Sequence, residues 1–479
     1  MRVPVVAAGL GAIAVVALGV AWFSGTLPPG QTTDRDPERF LSPTGEVPAE
    51  PQRRGDAQAG YRALVNEAYV SCGMPYDAWR RLAPETDPAL LLPGREGRNA
   101  ELPYFLTAHV NDDGVEIVSN NCLVCHAGRI GDQVIVGLGD PFGDFTGDAR
   151  SIVTQVGRYV QGPEATAAWQ HWADRIEGIA PYIRTQTLGM NPATNLSWAL
   201  MAHRDPDTMA WSDTPLLDPP PEVPVPVRTP PWWWMGKKNA MFYTTIGRGD
   251  HSRYMLFASL LCADSVEELQ DIDAYAPDIR AYIDSLEAPE FAWEIDAALA
   301  DEGRVVFEAT CASCHGSYGD APSYPNRVIP LDRIGTDPTY AEWMTDGSLT
   351  RFYEWIERSP HGGTVRGAPA RGYIAPPLDG IWTAAPYLHN GSVPTLAALL
   401  DPAQRPRFWR LDRPRDYDPQ AVGWHQQVLD AGKDAADDPA ERAAIYDTTM
   451  PGYDNGGHLF GDDLDDAARR ALLEYLKTL

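Results

Sequence analysis

The pattern Cys-x-x-Cys-His occurs twice in this chain of 479 residues, at Cys122-Leu123-Val124-Cys125-His126 and at Cys311-Ala312-Ser313-Cys314-His315. Two thiols at this spacing lie along one edge of a macrocycle and can add to its two vinyl groups. The histidine that follows then falls beneath the iron as its proximal ligand. Zinc would need two more ligands close to each motif, and a thioredoxin-like pair has no reason to be followed twice by histidine. The expected cofactors are therefore two covalently bound haems c. Cys122, Cys125, Cys311 and Cys314 would hold them, with His126 and His315 on the irons. The other two of the six cysteines, Cys72 and Cys262, are either a disulfide or two buried thiols.

Each motif is followed by a helix with a similar ending, Ala281-Tyr282-Ile283-Asp284-Ser285-Leu286 and Glu474-Tyr475-Leu476-Lys477-Thr478-Leu479. The distances nearly match, at 286 − 122 = 164 and 479 − 311 = 168 positions. In cytochrome c folds a helix leads into the haem motif and a C-terminal helix packs across it. The stretch Asp301 to Thr310 has that character, with Gly303 for close helix approach and Phe307 to pack on the partner. The expected fold is mainly α, with two cytochrome c-like haem domains carrying long loops, at residues 58–288 and 289–479.

Val3 to Phe23 is an uncharged, mostly apolar run of 21 residues, long enough to cross a bilayer. It reads as a signal anchor or a signal peptide covering residues 1–26. The flanking charges, with Arg2 before the run and no Lys or Arg until Arg35, send the rest of the chain outward. A periplasmic or otherwise extracytoplasmic protein, attached to the inner membrane by its N-terminal helix, is expected. Residues 27–57 are polar and Pro-rich and read as a linker. The net charge of −27 argues against nucleic acid and suits a basic periplasmic redox partner, or simple solubility.

Sixth ligands decide what each iron can do, since a closed iron moves electrons and an open one binds oxygen or peroxide. In cytochrome c folds that ligand usually comes from the loop before the C-terminal helix. His458 stands there among glycines, 479 − 458 = 21 residues before the end. Met450 and His361 are its rivals. The matching position in the first half is 286 − 21 = 265, a serine with no His or Met within five residues. His251 and Met255 lie further off. Haem 2 is thus expected to be bis-histidine and haem 1 to have an open or weakly held position. His109, His171, His203 and His425 have no motif around them and read as structural.

The run Ala375-Pro376-Pro377-Leu378-Asp379-Gly380-Ile381-Trp382, continuing to Ala385-Pro386-Tyr387-Leu388-His389-Asn390-Gly391-Ser392-Val393-Pro394, resembles the bacterial dihaem cytochrome c peroxidase superfamily. That superfamily includes the methylamine-dehydrogenase maturation enzymes. Within it the chain looks most like the rubber oxygenases and their relatives, over most of residues 58–479. The resemblance implies an oxygen-binding N-terminal haem and a bis-His C-terminal haem, with His389 supporting haem 2 without ligating it. It also implies that Lys237 to Tyr243 and Gly247 to Asp250 lie near haem 1. Phe242, Tyr243 and Arg248 are accordingly candidate catalytic residues beside His126, through an apolar pocket and a haem propionate contact. A well-packed core with a solvated lysine pair is the alternative.

Two functions compete. One is an oxidoreductase of oxygenase or peroxidase type acting on a small apolar substrate, with a reactive haem 1 and an electron-transfer haem 2. The other is a membrane-tethered electron-transfer cytochrome with both haems six-coordinate. Trp232-Trp233-Trp234, after eight prolines between Pro215 and Pro231, read as core packing, an apolar haem wall or an electron path. Asp140, Asp144 and Asp148 are turn and cap residues, a distal acid, or ligands for calcium.

Overall fold

The computed structural model describes residues 36–412 and 416–479. The apolar run Val3 to Phe23 lies outside them, and among the described residues no helix is long and apolar enough to cross a membrane.

Two crossed helix pairs organise the chain. In the second half, Ala297–Thr310 runs directly into the motif turn Ala312–His315 and is crossed by the last helix, Asp466–Leu476. The crossing is close because Gly303 has no side chain. A Cβ there would drive into the Ala471 carbonyl and lie 2.9 Å from Tyr475 Cβ. The first half repeats this contact with Ala57–Asn66 and Val266–Asp284. Gly60 faces the Asp278 carbonyl, and a Cβ on it would again lie 2.9 Å from the Tyr282 Cβ. Side-chain caps start all four helices. Asp56, Ser265, Asp296 and Asp465 each accept a hydrogen bond from a backbone N–H of the first turn.

The expected mainly α architecture is corrected by the structure, which is 40% helix and 13% strand. Its strands form six sheets of two or three strands among the described residues. The reason lies partly between Ala57–Asn66 and Cys122, where a hairpin is inserted. Leu106–Val110 pairs there with Glu116–Asn120, each run carrying two β-branched residues. A second hairpin, Ala127–Ile130 with Gln133–Val136, leaves the first motif through Gly131 at φ 59°.

Packing also crosses residue 288. Gly45–Glu46, in the stretch expected to be a linker, pairs antiparallel with Arg327 and Val328, and Phe40 and Val47 are buried. Gly247–Gly249 pairs with Val365–Gly367. One core joins Leu64 and Ile279 to Tyr340 and Phe352. Another joins Leu138, Trp233 and Trp234 to Phe307, Trp382 and Leu472. Polar, proline-rich composition hides such a segment because its few apolar anchors show no periodicity.

Candidate haem sites

The six cysteines separate into two kinds. Cys72 and Cys262 form a buried disulfide, whereas Cys122, Cys125, Cys311 and Cys314 are free thiols. Both motifs fold into the same tight turn. His126 and Cys125 donate their backbone N–H to the Cys122 carbonyl at 3.1 and 3.3 Å. His315 and Cys314 do the same to Cys311 at 3.0 and 3.1 Å.

Around the second motif lies a deep, mainly apolar cavity lined by Cys311, Cys314, His315, His389 and His458 with leucine and aromatic side chains. His315 Nδ1 is 2.8 Å from the Pro376 carbonyl oxygen. A carbonyl only accepts, so Nδ1 carries the proton and the Nε2 lone pair is left free. The His458 ring sits opposite, with ring centroids 6.2 Å apart. Two imidazoles bound to one metal at about 2 Å each have centroids about 6 Å apart. Burial keeps both rings neutral. It lowers His315 despite the Pro376 hydrogen bond, and it takes His458, helped by the nearby charge of Arg405, down to about 3. Met450 packs instead beside Met190, Trp409, Tyr446 and Tyr453. His361 lies among Asp273, Arg253, Arg53 and Asp250, away from the cavity lining. Free thiols, two facing neutral imidazoles and an apolar enclosure fit a covalently held haem.

At the first motif Tyr69 accepts the Cys122 N–H at 2.7 Å. His126 stacks on Trp232 with centroids 4.6 Å apart and planes 19° apart. Its Nδ1 has no hydrogen-bond partner among the described residues, and burial lowers its pKa to about 4. Burial likewise raises the Cys125 thiol to about 12. Trp232 is fixed by its N–H to Gly137, which in turn bonds the His126 carbonyl. The next two tryptophans face the other way. Trp233 and Trp234 donate their indole N–H to the Asp379 carbonyl at 2.9 and 2.8 Å, and Trp234 lines the second cavity. The short helix Trp232–Lys237 therefore reaches from His126 to the second cavity.

The structure gathers some expected residues and separates others. Tyr243 and His389 line the second cavity, with their rings 6.3 Å apart, and His389 stacks on Tyr373 at 4.0 Å. Phe242, at φ 65°, packs against Tyr254. Arg248 is ion-paired with Glu50 and donates to the Pro48 carbonyl. Ser265 is a helix cap, and Cys262 is held in the disulfide. His251 is buried with neither ring nitrogen partnered among the described residues.

Asp140, Asp144 and Asp148 accept N–H groups of their own turns, and Asp148 also binds Arg150. Among the described residues no group of three or more His, Cys, Asp or Glu side chains could hold a metal ion such as calcium. Three further histidines are local props. His109 meets the Ser71 carbonyl at 3.0 Å, His203 the Ser212 carbonyl at 2.7 Å, and His171 the Asp264 carboxylate at 2.9 Å.

Residues 372–410, which contribute Tyr373, Leu378, Tyr387 and His389 to the cavity, match the family model described as RoxA-like, cytochrome c-like. That match relates residues 372–410 to RoxA-like cytochromes c, a class that holds its haem c covalently. The chain is also similar to two curated proteins of Sinorhizobium fredii (strain NBRC 101917 / NGR234). The uncharacterized protein y4iM is 32% identical over 238 residues, covering 42% of this chain and 53% of that protein. The uncharacterized protein y4iJ is 31% identical over 297 residues, covering 48% and 47%. The chain spans about half the length of the curated relatives it matches.

Proposed function

We propose that this chain is an exported dihaem c-type oxidoreductase, with an oxygen- or peroxide-reactive site at His126 and an electron-transfer site at His315 and His458. A haem iron with a free axial position supplies oxygen or peroxide binding, and one with both positions filled supplies electron transfer. The observation that carries the reading is the difference between the halves. His458 faces His315 from the segment before its helix, whereas the equivalent place in the first half is Ser265, a helix cap beside a disulfide-bound Cys262.

The chain's own residues suit this division. Trp232 shields one face of His126, and Trp234 reaches the second cavity, so one rigid aromatic segment adjoins both sites. The first motif is packed among buried apolar side chains, Leu123, Ala127 and Trp232, which favours an apolar substrate over a charged one. The disulfide supports an oxidising, extracytoplasmic location, and the net charge of −27 favours a basic redox partner.

A second reading, both irons six-coordinate in an electron carrier, is favoured by His251. Its buried, unpartnered ring stands in the segment before Val266–Asp284, as His458 stands before Asp466–Leu476. The oxidised protein's paramagnetic resonance spectrum and the reduced protein's response to carbon monoxide separate the two. One high-spin haem that binds carbon monoxide supports the reactive site. Two low-spin signals and no response to carbon monoxide would leave only the carrier.

A further inference from the structure

Arg228 is a buried cation that makes no carboxylate ion pair among the described residues. It belongs to the proline-rich segment of the first half, yet it lines the cavity of the second motif and is 4% exposed. A guanidinium carries five N–H donors. Here one arm donates to the Ala385 carbonyl at 2.9 Å, and Nε has no partner. Its backbone N–H is fixed to the His389 carbonyl at 2.8 Å, and its Cδ would lie 3.6 Å from a Cβ at Gly391. The side chain is therefore held by the loop Ala385 to Gly391. It forms no carboxylate ion pair among the described residues. Asp140 is the acidic group within its electrostatic reach, beside Tyr243 and Tyr387.

Burying a charge is unfavourable unless it is paired and hydrogen-bonded. Three other basic residues of this region are committed. Arg248 pairs with Glu50, Lys237 with Asp379, and Arg405 with backbone carbonyls. Arg333, exposed, also lines the cavity, and likewise has no ion pair among the described residues. Haem carries two propionate carboxylates, and this cavity offers two uncommitted guanidinium groups, one buried and one at the rim.

We propose that Arg228 is the buried anchor for one haem carboxylate at the second motif, with Arg333 taking the other at the rim. The assignment rests on reading that motif as a haem site, and it makes Arg228 a determinant of that haem's potential. A fixed cation beside the macrocycle favours the reduced, less positive iron, and its removal favours the oxidised form.

The test is a redox titration of the purified holoprotein, following the bis-histidine signal. Covalent haem is counted separately by gel stain and pyridine haemochrome. In Arg228→Met the reduced-to-oxidised ratio at fixed potential falls about tenfold, equivalent to about 59 mV for one electron. Arg228→Lys keeps the charge and falls less than about threefold. Arg333→Gln falls about twofold at low ionic strength and matches the parent at 1 M salt, because an exposed charge is screened.

Two covalent haems, an intact low-spin signal and an unchanged ratio in Arg228→Met would overturn the assignment. If Arg228→Met does not fold, the surface variant Arg333→Gln decides, and no change at low salt overturns the two-cation arrangement. Fewer than two covalent haems in the parent protein would overturn the dihaem reading itself, and this assignment with it.

Discussion

Arg405 and His458 are joined through the backbone that carries the histidine. The guanidinium donates to the carbonyls of Asn455 and Gly457, at 2.7 and 2.8 Å, on either side of residue 456. It also reaches the Ala398 and Leu399 carbonyls at 3.1 and 3.0 Å. The loop is rich in glycine, and His458 itself sits at φ 49°, where a non-glycine residue is strained. A loop of this kind holds its shape only when something outside it fixes the backbone.

Arg405→Met should therefore loosen His458 more than it harms the fold. Losing several part-buried hydrogen bonds should lower stability by about 1–3 kcal/mol. The specific effect is on the second site. On the proposed dihaem reading, part of its low-spin signal should become high-spin, and the reduced protein should bind more carbon monoxide. A destabilised protein whose spectrum is unchanged would mean that Arg405 only packs.

The paired contacts at Gly60 and Gly303 carry a second prediction. A methyl group at either position meets a backbone carbonyl of the crossing helix, which cannot move aside. Gly60→Ala and Gly303→Ala should each cost about 2–4 kcal/mol in denaturant unfolding and reduce haem incorporation. Gly363→Ala is the control, since a Cβ there meets nothing within 4 Å. Equal stability of all three variants would show that the helices can separate without loss.

The disulfide closes a sequence separation of 190 residues between Cys72 and Cys262. Constraining so long a loop in the unfolded chain is worth about 2–5 kcal/mol. The double variant Cys72→Ala/Cys262→Ala should melt several degrees lower, and reductant should lower the parent's midpoint but not the variant's. Identical midpoints with and without reductant in the parent would remove the bridge as a source of stability.

What the sequence made legible follows from how local each signal is. The two motifs are written in consecutive residues, so their chemistry reads directly. The second helix pair is equally plain, because Thr310 abuts Cys311. The first pair was half hidden. Its leading helix ends at Asn66, 122 − 66 = 56 positions before Cys122, and inserted strands fill the gap. Strands of two to five residues are too short for their alternation to stand out. Spacing from the chain end located His458, and the structure sets it opposite His315. Arg228 and Arg405 carried no local signal. Arg228 lies 311 − 228 = 83 positions from the motif it faces, in a proline-rich run whose composition says only that it is extended. Tyr243 was expected beside the first haem through resemblance, and it lines the second cavity because the halves share their core.

Asp264 offers a prediction in pH. Burial alone would raise its carboxyl. Hydrogen bonds and charge from His171, Arg204 and Arg175 outweigh this and hold it well below the usual carboxylate range. Glu268 meets its backbone N–H and leaves the carboxylate to those partners. Arg204, whose side chain is fully buried, donates to it at 2.5 Å. The folded pKa is depressed, so the network's stability is fully present above about pH 4, the unfolded value. It is lost as the pH falls from there towards the folded value. Asp264→Asn should cost about 1–3 kcal/mol at pH 7. That is less than a fully buried pair, because the carboxylate remains 37% exposed and partly screened. The difference from the parent should shrink steadily below pH 4, as the parent's own carboxyl takes up its proton. Urea unfolding midpoints of both proteins between pH 7 and pH 2.5 measure this directly, and a gap that stays constant over the range would show that the carboxylate's charge contributes nothing.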